Sequence, residues 1–202
     1  MTAFLIEDPR CVFIHVPKTG GNTIRNVIFE RNYSGPYFGK AFDPEWERLF
    51  SFAFVRNPFD RVVSAWKMFT QGVANSDWQL PEDFDPNLTL RDVLELALDP
   101  AAEFGHPRFN QVKMNAKIRL KNHLLPQVHP YYQLSKAKFV GRFETYEADL
   151  KHIFGALGIG YKPPPRSHFT TRAPYQDYFC STTIALAREL YREDLERFGY
   201  DF

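Results

Sequence analysis

The chain has 202 residues, of which 44% are hydrophobic and 16% aromatic, so it can bury a sizeable core and is not expected to be disordered. Its formal net charge is +1, which excludes bulk charge as a basis for nucleic-acid or membrane binding and leaves only local clusters of charge. Cys11 and Cys180 have neither metal-ligand nor redox spacing, and we do not expect a disulfide between them.

The sequence has no segment long and apolar enough to span a bilayer, and its N-terminus lacks a basic region followed by an apolar stretch. We therefore expect a cytoplasmic protein without an integral membrane segment. A catalytic domain trimmed of an anchor is the alternative.

The first third of the chain contains two strand–turn–helix patterns. Residues 11–16 and 50–55 are continuous apolar runs, typical of strands buried on both faces. Each run is followed by apolar residues at helical spacing, over 22–32 and 60–69. We predict a loop over 33–48 and a surface excursion over 70–88.

The rest of the chain continues this alternation. Thr89 with Asp92 predicts a capping box and a helix through Leu98. Further predicted elements are a strand over 138–142, a helix capped by Thr145 and ended by Gly158, a stiff connector at 163–165 and a final helix from Ser181. The pattern predicts one domain, 1–202, with a mostly parallel sheet covered by helices.

The segment PKTGGNT, between the first strand and its helix, is typical of an oxyanion-binding loop. Two glycines let backbone N–H groups turn towards an anion, and the following helix N-terminus favours negative charge. Lys18 adds a mobile cation, and Thr19, Asn22 and Thr23 add side-chain donors. The alternative is a helix entered through a glycine turn, with Lys18 in solvent.

The second strand is followed by RNPFDRVVSAW. Arg56 stands at the carboxyl end of that strand, where ligands of open α/β sheets bind, and Ser64 lies eight residues later on the helix. Together they can grip a second phosphate through charge-assisted hydrogen bonds. The alternative makes Arg61 an ion-pair partner of Asp60 or Glu45 and Ser64 a packing residue.

Together, PKTGGNT and RNPFDRVVSAW resemble the sulfotransferases that use 3′-phosphoadenosine 5′-phosphosulfate (PAPS). The segments HLLPQ, FVGRFETYEADL and YREDLERFGYDF are similar to the carbohydrate sulfotransferase branch. The resemblance implies a P-loop NTPase-like α/β fold, a three-layer sandwich with a central mostly parallel sheet. It assigns to the 5′-phosphosulfate Pro17, Lys18, Thr19, Gly20, Gly21, Asn22 and Thr23, and to the 3′-phosphate Arg56 and Ser64.

An alcohol acceptor also needs a general base, most often His or Glu. His123 of HLLPQ matches the histidine of the H-x-x-P-Q segment in the carbohydrate branch and is the first candidate; otherwise it orients substrate or caps a helix. Packing is expected for His15 and a solvent-facing position for His152. The remaining candidates are His106, His129 and His168.

Positive charge is concentrated between Phe104 and Phe143, a stretch without Asp or Glu. This basic segment could steer an anionic acceptor or PAPS, or be a solvated face paired with acids elsewhere. Its aromatic residues could stack on sugar rings or belong to the core. The cations are Arg108, Lys113, Lys117, Arg119, Lys121, Lys136, Lys138 and Arg142, and the aromatic residues are Phe109, Tyr131 and Tyr132.

The sequence therefore predicts an enzyme that transfers the sulfuryl group in line from PAPS to an acceptor hydroxyl on a glycan or glycoconjugate. Lys18 would stabilise charge on the bridging oxygen, and no metal or nucleic-acid partner is expected. One alternative is an ATP-dependent small-molecule kinase, disfavoured because Lys18 precedes the glycines. Another is a non-enzymatic binder of nucleic acid or sulfated glycan through the basic segment.

Overall fold

The computed structural model describes residues 3–30, 32–35, 43–72, 85–105, 115–164 and 172–202. The chain divides into two compact units. The first comprises Met1–Arg56 and Gln127–Ser167, and the second comprises Asn57–Pro126 and His168–Phe202. Each unit has a hydrophobic core of its own. Most of the predicted excursion over 70–88 lies outside the described residues, as do Pro165, His106, His168, Arg108, Phe109 and Lys113.

The first unit contains a five-stranded open sheet with the order β3-β1-β2-β4-β5. The strands are β1 (Ala3–Glu7), β2 (Arg10–Ile14), β3 (Tyr33–Ser34), β4 (Phe50–Val55) and β5 (Phe139–Arg142). The three predicted strands are confirmed as β2, β4 and β5. Strand β3 lies within the segment that was predicted to be only loop.

The sheet is mixed, which corrects the prediction of a mostly parallel one. Strand β4 pairs in parallel with β2 and β5, whereas β1 pairs antiparallel with β2 and β3. Only Asp8 and Pro9 separate β1 from β2. Because a parallel pair needs a long crossover connection, this short link forces β1 to run antiparallel. The parallel strands β2, β4 and β5 still bring three carboxyl ends to one edge.

One face of the sheet carries a row of large aromatic side chains. Phe13 lies in register with Phe52, and their ring centroids are 5.2 Å apart. Ile24 and Phe154, from the two helical segments of this unit, belong to the same buried cluster. The other face is also buried, as at Val12, so both faces have the burial predicted for these strands. The three-layer sandwich remains a prediction.

The described part of the first unit contains two longer helical segments. Gly21–Thr23 begins an α-helix that continues as a π-helical turn over Ile24–Ile28, shorter than predicted, and Tyr146–Ala156 is the helix predicted after β5. Thr145 precedes that helix but does not cap its backbone, which corrects the prediction; its hydroxyl donates to Asp149 instead. The described part of the unit also contains 3₁₀ turns at Pro44–Arg48, Leu134–Lys136 and Phe143–Thr145.

The second unit is helical in its described part. Its α-helices are Pro58–Gln71, Leu90–Leu98, Ala116–Leu124, Ser181–Leu190 and Arg192–Phe198, with a 3₁₀ turn at Tyr175–Tyr178. The Thr89–Asp92 capping box is present as predicted. The prediction of a single final helix from Ser181 is wrong, because the helix is interrupted at Tyr191 and a second helix begins at Arg192. Tyr191 is fully buried, and its hydroxyl donates to the Leu124 carbonyl at 2.9 Å.

Arg61 lies fully buried in the core of the second unit. Its Nη1 donates to the His123 carbonyl at 3.0 Å and its Nη2 to the Leu125 carbonyl. The guanidinium thus caps the C-terminus of the Ala116–Leu124 helix, where a cation also complements the helix dipole. These two bonds to carbonyl oxygens give Arg61 a structural role.

The two cysteines are free and differ in environment. Cys11 is part of the core of the first unit, and burial raises the pKa of its thiol to about 12. Cys180 is exposed at the start of the Ser181–Leu190 helix. Cys11 is therefore the small buried residue that the apolar strand pattern predicted.

Within the described ranges, no helix combines the length and hydropathy needed to cross a membrane.

Candidate active site

The PKTGGNT loop leaves the carboxyl end of β2 with an unusual backbone. Lys18 has φ +69° and Gly20 has φ +89°, so two residues of the loop occupy the left-handed region. A lysine rarely adopts this conformation, and such strain is concentrated at functional sites. Left-handed residues next to right-handed ones turn successive N–H groups into a concave nest that attracts anions. The helix that follows starts at Gly21, so its first N–H groups have no partner within it.

The two glycines are required by what lies against them. A Cβ on Gly20 would stand 2.7 Å from the Tyr146 ring, and a Cβ on Gly21 would stand 2.2 Å from the His15 ring. Both distances are far below van der Waals contact. Tyr146 also donates from its hydroxyl to the Gly20 carbonyl at 2.9 Å, and its burial raises the pKa of that hydroxyl. His15 is thus a packing residue, as predicted.

Thr19 stabilises the loop from inside. Its side chain is fully buried, and its hydroxyl donates to the Val16 carbonyl at 2.8 Å. That bond uses the only hydrogen of the hydroxyl, which corrects the expectation of a side-chain donor facing the anion. The backbone N–H of Thr19 is the group through which it could still serve an anion.

The other residues of the loop differ in exposure. Asn22 is exposed, and its side-chain oxygen accepts a hydrogen bond from Arg25. Thr23 is buried, and its N–H donates to the Gly20 carbonyl at 3.1 Å. Pro17 is half-buried at the end of the strand. Thr23 therefore closes the first helical turn, whereas Asn22 keeps its side chain at the surface.

Arg56 directly follows β4, and the structure brings it to the loop. Its side chain is nearly buried, and Nη1 donates to the Lys18 carbonyl at 3.1 Å. The guanidinium lies over the Phe143 ring, 4.1 Å from its centroid. Phe143 follows β5, so residues after all three parallel strands meet at the carboxyl edge, as the position of Arg56 predicts.

Gln127 holds the backbone of Arg56, a role that the sequence did not predict. The Arg56 N–H donates to Gln127 Oε1 at 2.9 Å, and Gln127 Nε2 donates to the Arg56 carbonyl at 2.9 Å. Gln127 is fully buried, and its amide pairs with Arg56 as a neighbouring strand would. It is the last residue of HLLPQ, so the resemblance pointed to the segment, although 71 positions separate the two residues.

The other two predicted site residues belong to the second unit. Ser64 is half-buried on the Pro58–Gln71 helix, two turns from its start. His123 is half-buried near the end of the Ala116–Leu124 helix, where Nδ1 lies 2.7 Å from the Arg119 carbonyl and the ring meets the Phe69 ring edge to face. Since a carbonyl only accepts, Nδ1 carries a proton, and in the neutral ring Nε2 is the nitrogen that can accept another.

Two further histidines are held by local contacts. His129 Nδ1 accepts the Tyr131 N–H at 3.1 Å, which makes it part of a turn. His152 is exposed and stacks on Phe139 with a centroid distance of 4.5 Å, so its predicted solvent-facing position is confirmed. His123 therefore remains the first candidate for the base.

The basic segment is divided between the units, and several of its cations have structural partners. Lys136 pairs with Glu47 at 2.8 Å, Lys138 donates to the Leu49 carbonyl at 2.7 Å, and the buried Lys121 donates to the Asp99 carbonyl. Lys117 and Arg119 are exposed on one helix, and Arg142 is exposed at the end of β5. Tyr132 is fully buried, so it belongs to the core and not to a sugar-stacking surface.

A loop with left-handed residues at the carboxyl edge of an α/β sheet, bonded to an arginine that follows the neighbouring strand, is typical of proteins that bind a phosphorylated ligand. A family model described as the sulfotransferase family matches residues 2–201, and the chain belongs to that family. It is therefore a PAPS-dependent sulfotransferase with a hydroxyl-bearing acceptor. No curated relative and no solved structure matches the chain.

The loop fits a donor that carries a phosphosulfate. Its backbone is left-handed at Lys18 and Gly20, and two residues without Cβ let a charged group approach the main chain. Within the described ranges, no cluster of three or more His, Cys, Asp or Glu has a geometry for a metal ion. The residues that would hold the 5′ end of the donor are those of the loop, with Lys18 at its mouth.

Gly20→Ala is expected to destabilise the protein and to weaken binding of adenosine 3′,5′-bisphosphate, the desulfated donor. Positive φ alone costs an L residue about 1–2 kcal/mol, and here the new Cβ also meets the Tyr146 ring. The matched control is Gly158→Ala, which has φ +68° but no atom within 4 Å of the new Cβ. Urea unfolding and calorimetric titration measure both effects. Equal losses in the two variants would show that the ring contact does not matter.

Gln127→Met should lower the free energy of unfolding by about 2–4 kcal/mol, because it removes two buried hydrogen bonds to the Arg56 backbone, one to its N–H and one to its carbonyl. Methionine has a similar length and no polar group, so packing changes little. Gln71→Met, at an exposed helix end, is the control and should stay within about 0.5 kcal/mol of the wild type. Urea unfolding checks both, and an unchanged midpoint for Gln127→Met would contradict the role of this amide.

Proposed function

We propose that the enzyme transfers the sulfuryl group of PAPS, in line, to a hydroxyl group of a carbohydrate within a single sulfotransferase domain. When bound, PAPS supplies the sulfuryl group and the adenosine 3′,5′-bisphosphate leaving group. The backbone N–H groups of the PKTGGNT loop bind the 5′ end, and Lys18 stabilises the charge that grows on the oxygen at the broken bond. Arg56 and Ser64 bind the 3′-phosphate.

The observation that carries the proposal is the link between Arg56 and the loop. The guanidinium is joined to the Lys18 carbonyl and rests on Phe143, and its backbone is clamped by Gln127. Residues held in this way keep their geometry before substrate arrives, which lowers the cost of positioning. A second cationic group beside the loop also suits a nucleotide with two separated anionic ends.

The acceptor is assigned to carbohydrates on the resemblance of HLLPQ, FVGRFETYEADL and YREDLERFGYDF. Residues of these segments also make structural hydrogen bonds, as Gln127 and Tyr191 do. The assignment of a carbohydrate acceptor is therefore tested by experiment. Transfer of ³⁵S-sulfate from PAPS to chondroitin, dermatan and neutral oligosaccharides, with simple alcohols and phenols alongside, tests it. Label on at least one glycan and little on alcohols is expected, and label on phenols or alcohols alone would overturn the carbohydrate assignment.

Arg56→Met is expected to weaken binding of adenosine 3′,5′-bisphosphate by about 100-fold, since a charge-assisted hydrogen bond contributes about 1.5–3 kcal/mol. Binding of AMP, which lacks the 3′-phosphate, should change far less. Arg48→Met is the control, because Arg48 is an exposed arginine near the start of β4. Calorimetric titration with both nucleotides measures this. Equal losses for the two ligands would show that Arg56 acts on the fold and not on the 3′-phosphate.

A further inference from the structure

A cleft of about 620 Å³ opens on the surface of the second unit. It is lined by the end of the Pro58–Gln71 helix, by residues 86–91 and by Tyr178 and Thr183. We call it the Trp66 cleft. Its volume is within the range of about 300–1,000 Å³ that is usual for small-molecule sites. The cleft therefore has room for one or two sugar rings.

Two aromatic rings form one wall of the Trp66 cleft, and both are fixed by hydrogen bonds. The Trp66 and Tyr178 centroids are 5.7 Å apart at an interplanar angle of 80°. Trp66 Nε1 donates to the Leu88 carbonyl at 2.7 Å, and the Tyr178 hydroxyl accepts the Ala173 N–H at 3.2 Å. Since their polar atoms are already bonded, the rings can offer apolar surface to a ligand without losing a hydrogen bond.

The described lining of the Trp66 cleft contains two cationic side chains. Lys67 Nζ lies 4.1 Å from the Trp66 centroid and 4.7 Å from the Tyr178 centroid, so the ammonium stands in the angle between the rings. Arg91 adds a second cation to the lining. The described lining residues include no carboxylate, but Arg91 already has a counter-charge, since it pairs with Glu95 at 2.7 Å. Lys67 therefore places a positive charge beside the two rings in the described part of the lining.

Neutral polar side chains complete the lining. Gln71 and Asn87 are exposed at its rim and carry amide groups that donate and accept. Amide groups beside a rigid aromatic wall suit the many hydroxyl groups of a sugar, whereas the ammonium calls for an anion. A neutral sugar leaves Lys67 without a counter-charge, and an inorganic anion leaves the aromatic wall unused. An acidic sugar satisfies all three features.

We propose that the Trp66 cleft binds an acidic sugar residue, a uronate or a sulfated hexose, of the glycan to which the enzyme transfers sulfate. The proposal rests on the carbohydrate acceptor put forward above, and it narrows that acceptor to an anionic glycan. Lys67 binds the carboxylate or sulfate group. Trp66 and Tyr178 contact the apolar edge of the ring, and the amides bind its hydroxyl groups.

The test is a fluorescence titration without nucleotide, using a chondroitin 4-sulfate disaccharide as the probe, N-acetyllactosamine as the neutral control and sodium sulfate as the anion control. The disaccharide is expected to bind at least 10-fold more tightly than either control. Lys67→Gln should weaken it about 10-fold, because a charge-assisted bond is lost. Lys162→Gln removes an exposed lysine of the first unit, outside the basic segment, that pairs with Glu30, and it should leave binding unchanged.

Several outcomes would overturn this assignment: equal binding by wild type and Lys67→Gln, equal binding of the neutral disaccharide, or a signal matched by sulfate alone. Binding of adenosine 3′,5′-bisphosphate at wild-type strength shows that each variant is folded. The two proposals fail separately. Lys67-dependent binding with no sulfate transfer to any glycan would support the cleft and overturn the acceptor. Transfer to chondroitin that Lys67→Gln leaves at the wild-type KM would overturn the role of the cleft.

Discussion

Replacing Lys18 with alanine is expected to lower kcat for sulfuryl transfer by about two to three orders of magnitude, the usual loss when one well-placed donor is removed from a developing negative charge. Affinity for adenosine 3′,5′-bisphosphate should fall only a few-fold, because the loop keeps its backbone N–H groups. The reason lies in the loop: the Lys18 carbonyl is bound by Arg56, and the residue has φ +69°. The side chain therefore projects from a fixed backbone.

The matched control for Lys18→Ala is Lys162→Ala, which removes an exposed lysine of the same unit that pairs with Glu30 at 3.0 Å. Its kcat should equal that of the wild type. Lys18→Arg should recover part of the loss, since it restores the charge but not the point geometry of an ammonium. Single-turnover rates and nucleotide titration, measured on all three variants, separate chemistry from binding. A Lys18→Ala variant that retains full kcat would exclude the proposed role.

His123→Asn should lower kcat by about 10²- to 10⁴-fold, the range that general acid–base groups supply. Asparagine can still donate from its amide to the Arg119 carbonyl, the bond that Nδ1 makes, so the end of the helix should remain intact. It offers no group that can take a proton at the position of Nε2. The measurement is kcat with a glycan acceptor, together with the midpoint of urea unfolding.

Two outcomes of the His123 experiment separate a base from a structural residue. A large fall in kcat with an unchanged unfolding midpoint supports the base, whereas a lowered midpoint with unchanged turnover shows that His123 only caps its helix. His152→Asn serves as the control, because that histidine is exposed and stacks only on Phe139 among its described ring contacts. It should change neither quantity.

The parts of the fold that the sequence predicts are those with a strong local signal. Strands β2 and β4 are continuous apolar runs, and the capping box at Thr89 is visible in the sequence as a threonine followed three residues later by an aspartate. Strand β1 was missed although its apolar segment, next to a two-residue link, predicts a hairpin. The break at Tyr191 was missed because the helical pattern continues through it; the residue is instead held by a long-range bond to Leu124.

The candidate site shows the same division. The loop, Arg56, Ser64 and His123 were predicted because their motifs are local and resemble those of a known family. The contacts that hold them were not, since Gln127 reaches Arg56 across 71 positions and Tyr146 reaches Gly20 across 126. Thr19 shows that residue type alone does not predict what a side chain binds, because its hydroxyl donates to a carbonyl inside the loop rather than facing an anion. These long-range contacts exist only once the sheet has folded, and the spacing of residues along the sequence does not reveal them.

The central claim is that the PKTGGNT loop and Arg56 form a site for a nucleotide phosphorylated at both the 3′ and 5′ positions. The most direct measurement is a calorimetric titration of the wild-type protein with adenosine 3′,5′-bisphosphate and with AMP, which differ only in the 3′-phosphate. We expect the bisphosphate to bind about 100-fold more tightly, as one set of charge-assisted hydrogen bonds would give. Equal affinity for the two nucleotides, or preference for ATP over both, would contradict the account.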